Sequence, residues 1–176
     1  DDELVDLVRF AAAHGAEMRF IEYMDVGGAT RWQDDRVVTR DEILETLGTA
    51  FGAVAPGDRP SNPHAPAESF EVPGIGTVGV IASTTTPFCR ECDRARLTAD
   101  GTLFTCLYAT TGHDLRTLLR DPTADQATLE RTIDEIWRAR TDRGAEERLA
   151  EPDRQPLVAL GDLRADPRRE MHVRGG

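Results

Sequence analysis

The first 23 residues carry a helical pattern of apolar positions followed by a short apolar strand. Leu4 and Val8 recur at helical spacing, and Gly15 follows as a C-terminal stop. Residues 18–23 (MRFIEY) then predict a strand. A helix and a buried strand form the repeating half of an α/β unit, and a parallel strand needs neighbours and cover on both faces. Residues 1–28 are therefore predicted to be the last helix and strand of a truncated barrel or doubly wound sheet.

The end of this strand is where functional groups are expected. In barrels and doubly wound sheets they lie at the C-terminal ends of strands. This places Tyr23, Met24 and Asp25 at the predicted active face, with Arg19 earlier in the same strand. For a methionine in this position, core packing is the ordinary interpretation of the pattern alone.

Residues 29–148 mix helical and strand patterns and predict an α+β domain with antiparallel hairpins. Thr39 and Glu42 have the spacing of a capping box that opens a helix. Residues 69–72 and 77–83 predict two strands joined through a Pro-Gly-Ile-Gly segment.

Two more helices are predicted, over residues 113–120 and 123–140. Four apolar side chains should form the buried stripe of the longer helix: Leu129, Ile133, Ile136 and Trp137. The proline-rich residues 55–68 predict a mobile loop in which His64 is solvated. Residues 149–176 combine prolines, charge and little periodicity, and predict an irregular tail ending in Gly-Gly.

The candidate chemistry concentrates in residues 88–107 (FCRECDRARLTADGTLFTCL), which contain all three cysteines of the chain. Cys89 and Cys92 have CxxC spacing, and Cys106 returns after an Ala-Asp-Gly turn, which is typical of a metal-ligand set. Three sulfurs leave one position of a tetrahedral or cubane centre open. His113 would fill it in a zinc site, whereas a 4Fe-4S cluster would keep one iron open for a ligand. The spacing alone does not choose between the two.

The connection between the two strands of this hairpin decides which side chains share a face. A two-residue turn would pair Ala95 with Cys106, and a three-residue loop with Gly101 in the left-handed conformation would pair Arg94 with Cys106. Only the second register places Cys92, Arg94, Arg96 and Cys106 on one face, so we predict the three-residue loop.

Arg94 and Arg96 point the same way from a strand because side chains alternate between its faces. Their planar guanidiniums suit a phosphate group or the edge of a purine. The alternative is a pair of salt bridges to neighbouring acids such as Glu91 or Asp93.

The overall charge restricts the partners. The formal net charge is −11, which argues against general binding to nucleic acid or to an anionic membrane, so an anion would need a local arginine cluster. No apolar run is long enough to span a bilayer. Three clustered cysteines favour a reducing cytoplasm over disulfides. Because the chain opens within a predicted helix without an initiating Met, we expect a piece of a longer protein.

The cysteine stretch resembles the C-terminal cluster motif of the GTP 3′,8-cyclases, the radical S-adenosylmethionine family also called molybdenum cofactor biosynthesis protein A. The residues that carry the resemblance are PFCRECDRARLTADGTLFTCL and, in residues 19–28, RFIEYMDVGG. The segments VVTRDEIL and IWRARTDR and the terminal Gly-Gly are also similar. The resemblance covers nearly the whole chain and corresponds to the C-terminal half of such an enzyme.

The resemblance implies a two-cluster enzyme that converts GTP to (8S)-3′,8-cyclo-7,8-dihydroguanosine 5′-triphosphate with a 5′-deoxyadenosyl radical. The C-terminal 4Fe-4S cluster would be bound by Cys89, Cys92 and Cys106. GTP would contact Arg94, Ala95 and Arg96, and S-adenosylmethionine (SAM) would contact Met24. The Gly-Gly tail would reach toward the active site.

Two departures from the family pattern limit these expectations. No CxxxCxxC motif is present, so the chain alone is expected to be inactive, and the tail from Glu151 onward matches the family poorly before its end. An auxiliary-cluster domain of another radical SAM enzyme and a structural zinc module remain as alternatives. The exposed barrel edge is a pairing hazard, which makes a homodimer or a swapped strand a candidate assembly.

Overall fold

The computed structural model describes residues 2–26, 32–58, 62, 64–152, 154 and 156–166. The chain divides into two compact units. The first comprises residues 1–24 and 33–92, and the second comprises residues 25–32 and 93–176.

The first unit is a mixed four-stranded sheet covered by two helices. Its helices are α1 (Leu4–Ala13) and α2 (Arg40–Phe51). Its strands are β1 (Met18–Ile21), β2 (Ala55–Pro56), β3 (Glu68–Val72) and β4 (Gly76–Ile81), in the order β1-β4-β3-β2. The core lies between helices and sheet and contains Leu4, Val8, Ile43, Leu47, Phe70, Val72, Val78 and Val80.

The local sequence signals of this unit are confirmed. The capping box is present: the Thr39 side chain accepts a hydrogen bond from the Glu42 backbone N–H, and the Glu42 carboxylate accepts one from the Thr39 backbone N–H. Gly15 follows α1 with φ of +66°, a conformation that glycine adopts without steric cost. β3 and β4 form the predicted hairpin, in which Phe70 pairs with Val78.

The setting of β1 differs from the expected barrel. β1 runs parallel to β4 in the register Met18↔Val78 to Ile21↔Ile81, and the described residues form no closed barrel. Met18 and Phe20 face the core, whereas Ile21 is 59% exposed. The strand is therefore covered on one face and finds its partner in a later hairpin. The partial barrel stays a prediction.

The second unit contains a small antiparallel sheet and four helices. The strands are β5 (Arg96–Leu97), β6 (Thr102–Phe104) and β7 (His113–Asp114), in that order across the sheet. The helices are α3 (Leu115–Arg120), α4 (Gln126–Arg138), α5 (Gly144–Ala150) and α6 (Leu160–Ala165). The predicted helix over residues 113–120 therefore starts two residues later, because His113 and Asp114 pair with β6.

Two sequence predictions for this unit were wrong. The stripe of α4 is not buried: Ile133 and Trp137 are 39% and 37% exposed, and Leu129 and Ile136 are half-buried. α4 packs against α3, which has 6 residues and is too short to cover a helix of 13. The segment predicted to be irregular contains α6, whose Leu163 is buried. The terminal Gly-Gly lies outside the described residues.

Within the described ranges, no helix is both long enough and apolar enough to cross a bilayer.

Candidate functional site

The CxxC segment of the first unit forms a tight turn. Residues Cys89–Glu91 adopt a 3-10 helix, and the Cys92 backbone N–H donates to the Cys89 carbonyl at 3.4 Å. With three residues per turn, side chains at positions i and i+3 lie on the same side. Neither cysteine forms a disulfide and both are half-buried, so the turn places two sulfurs on one side.

His64 contacts this turn. Its Nδ1 lies 2.7 Å from the Glu91 carbonyl oxygen, within the first unit, and Nδ1–H therefore donates to that oxygen. The prediction that His64 is a solvated loop residue captured its exposure but missed this contact.

The hairpin of the second unit has the predicted register. Arg96 pairs with Phe104 and Leu97 with Leu103, and the three-residue loop ends at Gly101 with φ of +86°. The strands are shorter than predicted. Strand pairing begins at Arg96 in β5 and ends at Phe104 in β6. Continuing the same register by two residues would set Arg94 opposite Cys106, as the three-residue loop requires.

The arginines occupy one face of this hairpin. Arg94 and Arg96 are half-buried, whereas Ala95 and Leu97 between and beyond them are exposed. The Nε atom of Arg96 is buried and has no hydrogen-bond partner among the described residues. An orphaned guanidinium donor carries a free-energy cost that an anionic or purine ligand would relieve.

Cys106 lines an open cavity of about 640 Å³ inside the second unit. The cavity wall also includes Tyr108, His113, Arg140 and Arg148. Gly144 makes the packing beside the cysteine feasible: a Cβ atom at this position would lie 2.4 Å from the Tyr108 Cβ and 3.2 Å from the Cys106 Sγ. His113, the proposed fourth zinc ligand, is thus exposed on the same cavity as Cys106.

A buried charge cluster in the second unit went unrecognised in the sequence. Asp25 is 4% exposed and accepts hydrogen bonds from Arg148 Nε at 2.8 Å and from the Tyr108 hydroxyl at 3.1 Å. Arg148 Nη2 lies 2.7 Å from the same carboxylate. Burial and the neighbouring Asp25 charge raise the pKa of Tyr108 well above its usual range. The partners are 123 residues apart, so no local pattern indicates the contact.

The strand end that carries Met24 is organised by a second buried acid, in the first unit. Glu22 is 2% exposed, and its carboxylate accepts hydrogen bonds from the backbone N–H groups of Arg40, Thr84 and Thr85. Met24 is half-buried two residues later, and Arg19 is exposed with its Nε 2.7 Å from Glu17. Alternation along the strand places Glu22 on the same face as Met18 and Phe20, but it does not indicate which donors meet a carboxylate there.

The cysteines suit a cluster chemically, since thiolates are the usual ligands of iron–sulfur clusters and none of the three forms a disulfide. No group of three or more His, Cys, Asp or Glu side chains arranged to hold a metal occurs in the part of the chain that the structure describes. Cys89 and Cys92 belong to the first unit and Cys106 to the second. The cluster, and the roles of the cysteines in it, stay predictions.

Comparison with known proteins places this geometry in context. Residues 16–146 match the family model described as Molybdenum Cofactor Synthesis C. The chain is 51% identical over 175 residues to "GTP 3′,8-cyclase 1" of Mycobacterium tuberculosis, covering 99% of the chain and 48% of that relative. It is 49% identical over 176 residues to "GTP 3′,8-cyclase 3" of Mycobacterium bovis, covering 46% of that relative. "GTP 3′,8-cyclase" of Aquifex aeolicus is 42% identical over 146 residues. The chain thus spans about half the length of the curated relatives it matches.

Proposed function

Because the chain belongs to the Molybdenum Cofactor Synthesis C family, we propose that it is the GTP-binding part of a GTP 3′,8-cyclase in molybdenum cofactor biosynthesis. The parent reaction would convert GTP to (8S)-3′,8-cyclo-7,8-dihydroguanosine 5′-triphosphate with a 5′-deoxyadenosyl radical. The 176 residues contain no CxxxCxxC motif, so GTP binding, rather than turnover, is the property to measure on this chain.

The observation that carries the proposal is the face of the hairpin that holds Arg94 and Arg96. Arg96 on β5 and Arg94 just before it are both half-buried while Ala95 between them is exposed, and Arg96 keeps a buried donor without a partner among the described residues. Because the net charge of the chain is −11, an anion needs local positive charge, and a pair of guanidiniums suits a phosphate or a purine edge. Ala95 between them has no bulky side chain to obstruct a ligand.

Cys89, Cys92 and Cys106 would hold a 4Fe-4S cluster, which would supply an iron with an open coordination position for a ligand. Met24, at the end of β1, would contact SAM. The chain's own contribution is to orient the nucleotide through Arg94 and Arg96.

Replacing Arg96 with alanine tests the proposal. Losing one guanidinium contact should weaken GTP binding by about 1–3 kcal/mol, or about 5- to 150-fold in Kd. Equilibrium dialysis of anaerobically reconstituted protein measures this. Arg131→Ala is the matched control, because Arg131 lies on α4 and donates to Thr128 at 3.0 Å. An Arg96→Ala protein that binds GTP as tightly as the parent would refute the role of Arg96.

Iron, sulfide and zinc analysis separates the proposal from a structural zinc module. The observation that supports a zinc module as the second candidate is that His113 and Cys106 line the same cavity. Stoichiometric iron and sulfide after anaerobic purification supports the cluster. Stoichiometric zinc that is lost on His113→Ala would instead support the zinc module. Tight binding of a peptide in place of GTP would favour another radical SAM enzyme.

A further inference from the structure

We propose that Glu22 is a positioning residue that holds the segment after β1, which contains Met24, against the segment that leads into the Cys89–Cys92 turn. The inference rests on the proposed function for the significance of Met24 and the cysteines. Its geometry lies entirely within the first unit.

The Glu22 carboxylate is fully engaged by four donors. Oε1 accepts from the Arg40 N–H at 2.9 Å and from the Thr85 hydroxyl at 2.5 Å. Oε2 accepts from the N–H groups of Thr84 at 2.8 Å and Thr85 at 2.7 Å. Because the side chain is 2% exposed, water cannot replace these bonds.

The four donors come from two different parts of the unit. The Arg40 N–H is at the first residue of α2, where a helix leaves backbone donors unsatisfied and favours a negative charge. Thr84 and Thr85 follow β4 and precede Cys89 by four to five residues. One carboxylate therefore joins the end of β1, the start of α2 and the start of the cysteine segment.

Backbone contacts strengthen the same junction. The Ser83 hydroxyl donates to the Glu22 carbonyl at 3.3 Å, and the Thr84 hydroxyl donates to the Tyr23 carbonyl at 3.2 Å. Glu22 and Tyr23, the two residues before Met24, are thus hydrogen-bonded to residues that follow β4. An apolar side chain could supply packing alone. A buried carboxylate at this position therefore indicates a function beyond packing.

Glu22→Gln is the direct test, because glutamine keeps the shape but has one acceptor oxygen instead of two. Its side-chain NH₂ group would replace one acceptor oxygen and would face N–H or O–H groups that are themselves donors. Native-state alkylation with iodoacetamide, followed by peptide mass spectrometry, gives a separate rate for each cysteine. We expect Cys89 and Cys92 to react about tenfold faster, whereas Cys106, in the second unit, should change less than about twofold.

Amide hydrogen exchange on the same protein checks the cause. The N–H groups of Thr84 and Thr85 should exchange faster in Glu22→Gln, while the β3–β4 ladder at Phe70 and Val78 stays protected. The matched control is Glu71→Gln, an exposed glutamate on β3 that accepts from the Thr77 hydroxyl at 2.7 Å and should leave all three thiol rates unchanged.

Thr85→Val keeps the test decisive if Glu22→Gln does not fold. It removes only the hydroxyl donor to Oε1, and we expect about a threefold increase at Cys89 and Cys92. Equal acceleration of all three thiols, or no change at any of them, would overturn the positioning role. These readouts need no GTP, SAM or cluster, so a parent protein that fails to bind GTP refutes the proposed function without affecting this test.

Discussion

Replacing Arg148 with methionine should destabilise the second unit severely. Methionine preserves much of the aliphatic volume but removes the guanidinium that makes two contacts with Asp25, at 2.7 and 2.8 Å. The Arg148 and Asp25 side chains are 11% and 4% exposed, so solvent screens the pair little. The variant would keep Asp25 buried, still accepting a hydrogen bond from the Tyr108 hydroxyl at 3.1 Å.

The expected loss of unfolding free energy follows from leaving the Asp25 carboxylate buried without its arginine partner. Removing one member of a buried ion pair costs about 3–5 kcal/mol. For a chain of this size, such a loss lowers Tm by about 10 °C.

Urea titration followed by circular dichroism at pH 7 measures the effect. Arg138→Met is the matched control, because Arg138 pairs with Asp134 at 2.7 Å but the two side chains are 77% and 54% exposed. That control should change the free energy of unfolding by less than about 0.5 kcal/mol. If Arg148→Met costs less than about 1 kcal/mol, the buried pair does not have the energetic role argued from its geometry.

Two further predictions concern the same unit. Gly144→Ala places a methyl group 2.4 Å from the Tyr108 Cβ and 3.2 Å from the Cys106 Sγ, and should cost about 1–3 kcal/mol in urea unfolding. Gly161→Ala, whose Cβ would meet nothing within 4 Å, is its control, and equal stability of the two variants would contradict the packing argument. Because burial and Asp25 raise the pKa of Tyr108, this residue contributes stability that is full below the unfolded pKa of about 10 and is lost as pH rises above it. Tyr108→Phe should flatten the decline in urea midpoint between about pH 10 and 11, and an unchanged slope would count against it.

Local patterns were sufficient where a structure is decided by neighbours in sequence. The capping box at Thr39 and Glu42 needs one helical turn, and the β3–β4 hairpin needs one short turn. The register of the β5–β6 hairpin was predictable because Gly101 closes a three-residue loop, and a shift of one residue would reverse every side chain. The sequence therefore indicated correctly that Arg94 and Arg96 share a face.

Periodicity failed where burial depends on what lies opposite. The α4 pattern predicted a buried stripe, yet Ile133 and Trp137 remain partly exposed because the short α3 covers only part of the helix. β1 was predicted as the end of a barrel, which stays a prediction, and the pattern did not indicate that it pairs with β4. A strand's hydrophobic pattern specifies that it needs a partner without specifying which one.

The sequence by itself determined the ligand-type spacing of the cysteines, the arginine pair and the turn that sets their strands. Tertiary structure alone decided the two buried acids. Glu22 meets Thr85 across 63 positions, and Asp25 meets Arg148 across 123. A carboxylate becomes buried only when distant donors converge on it to replace water, and that convergence is a property of the folded chain.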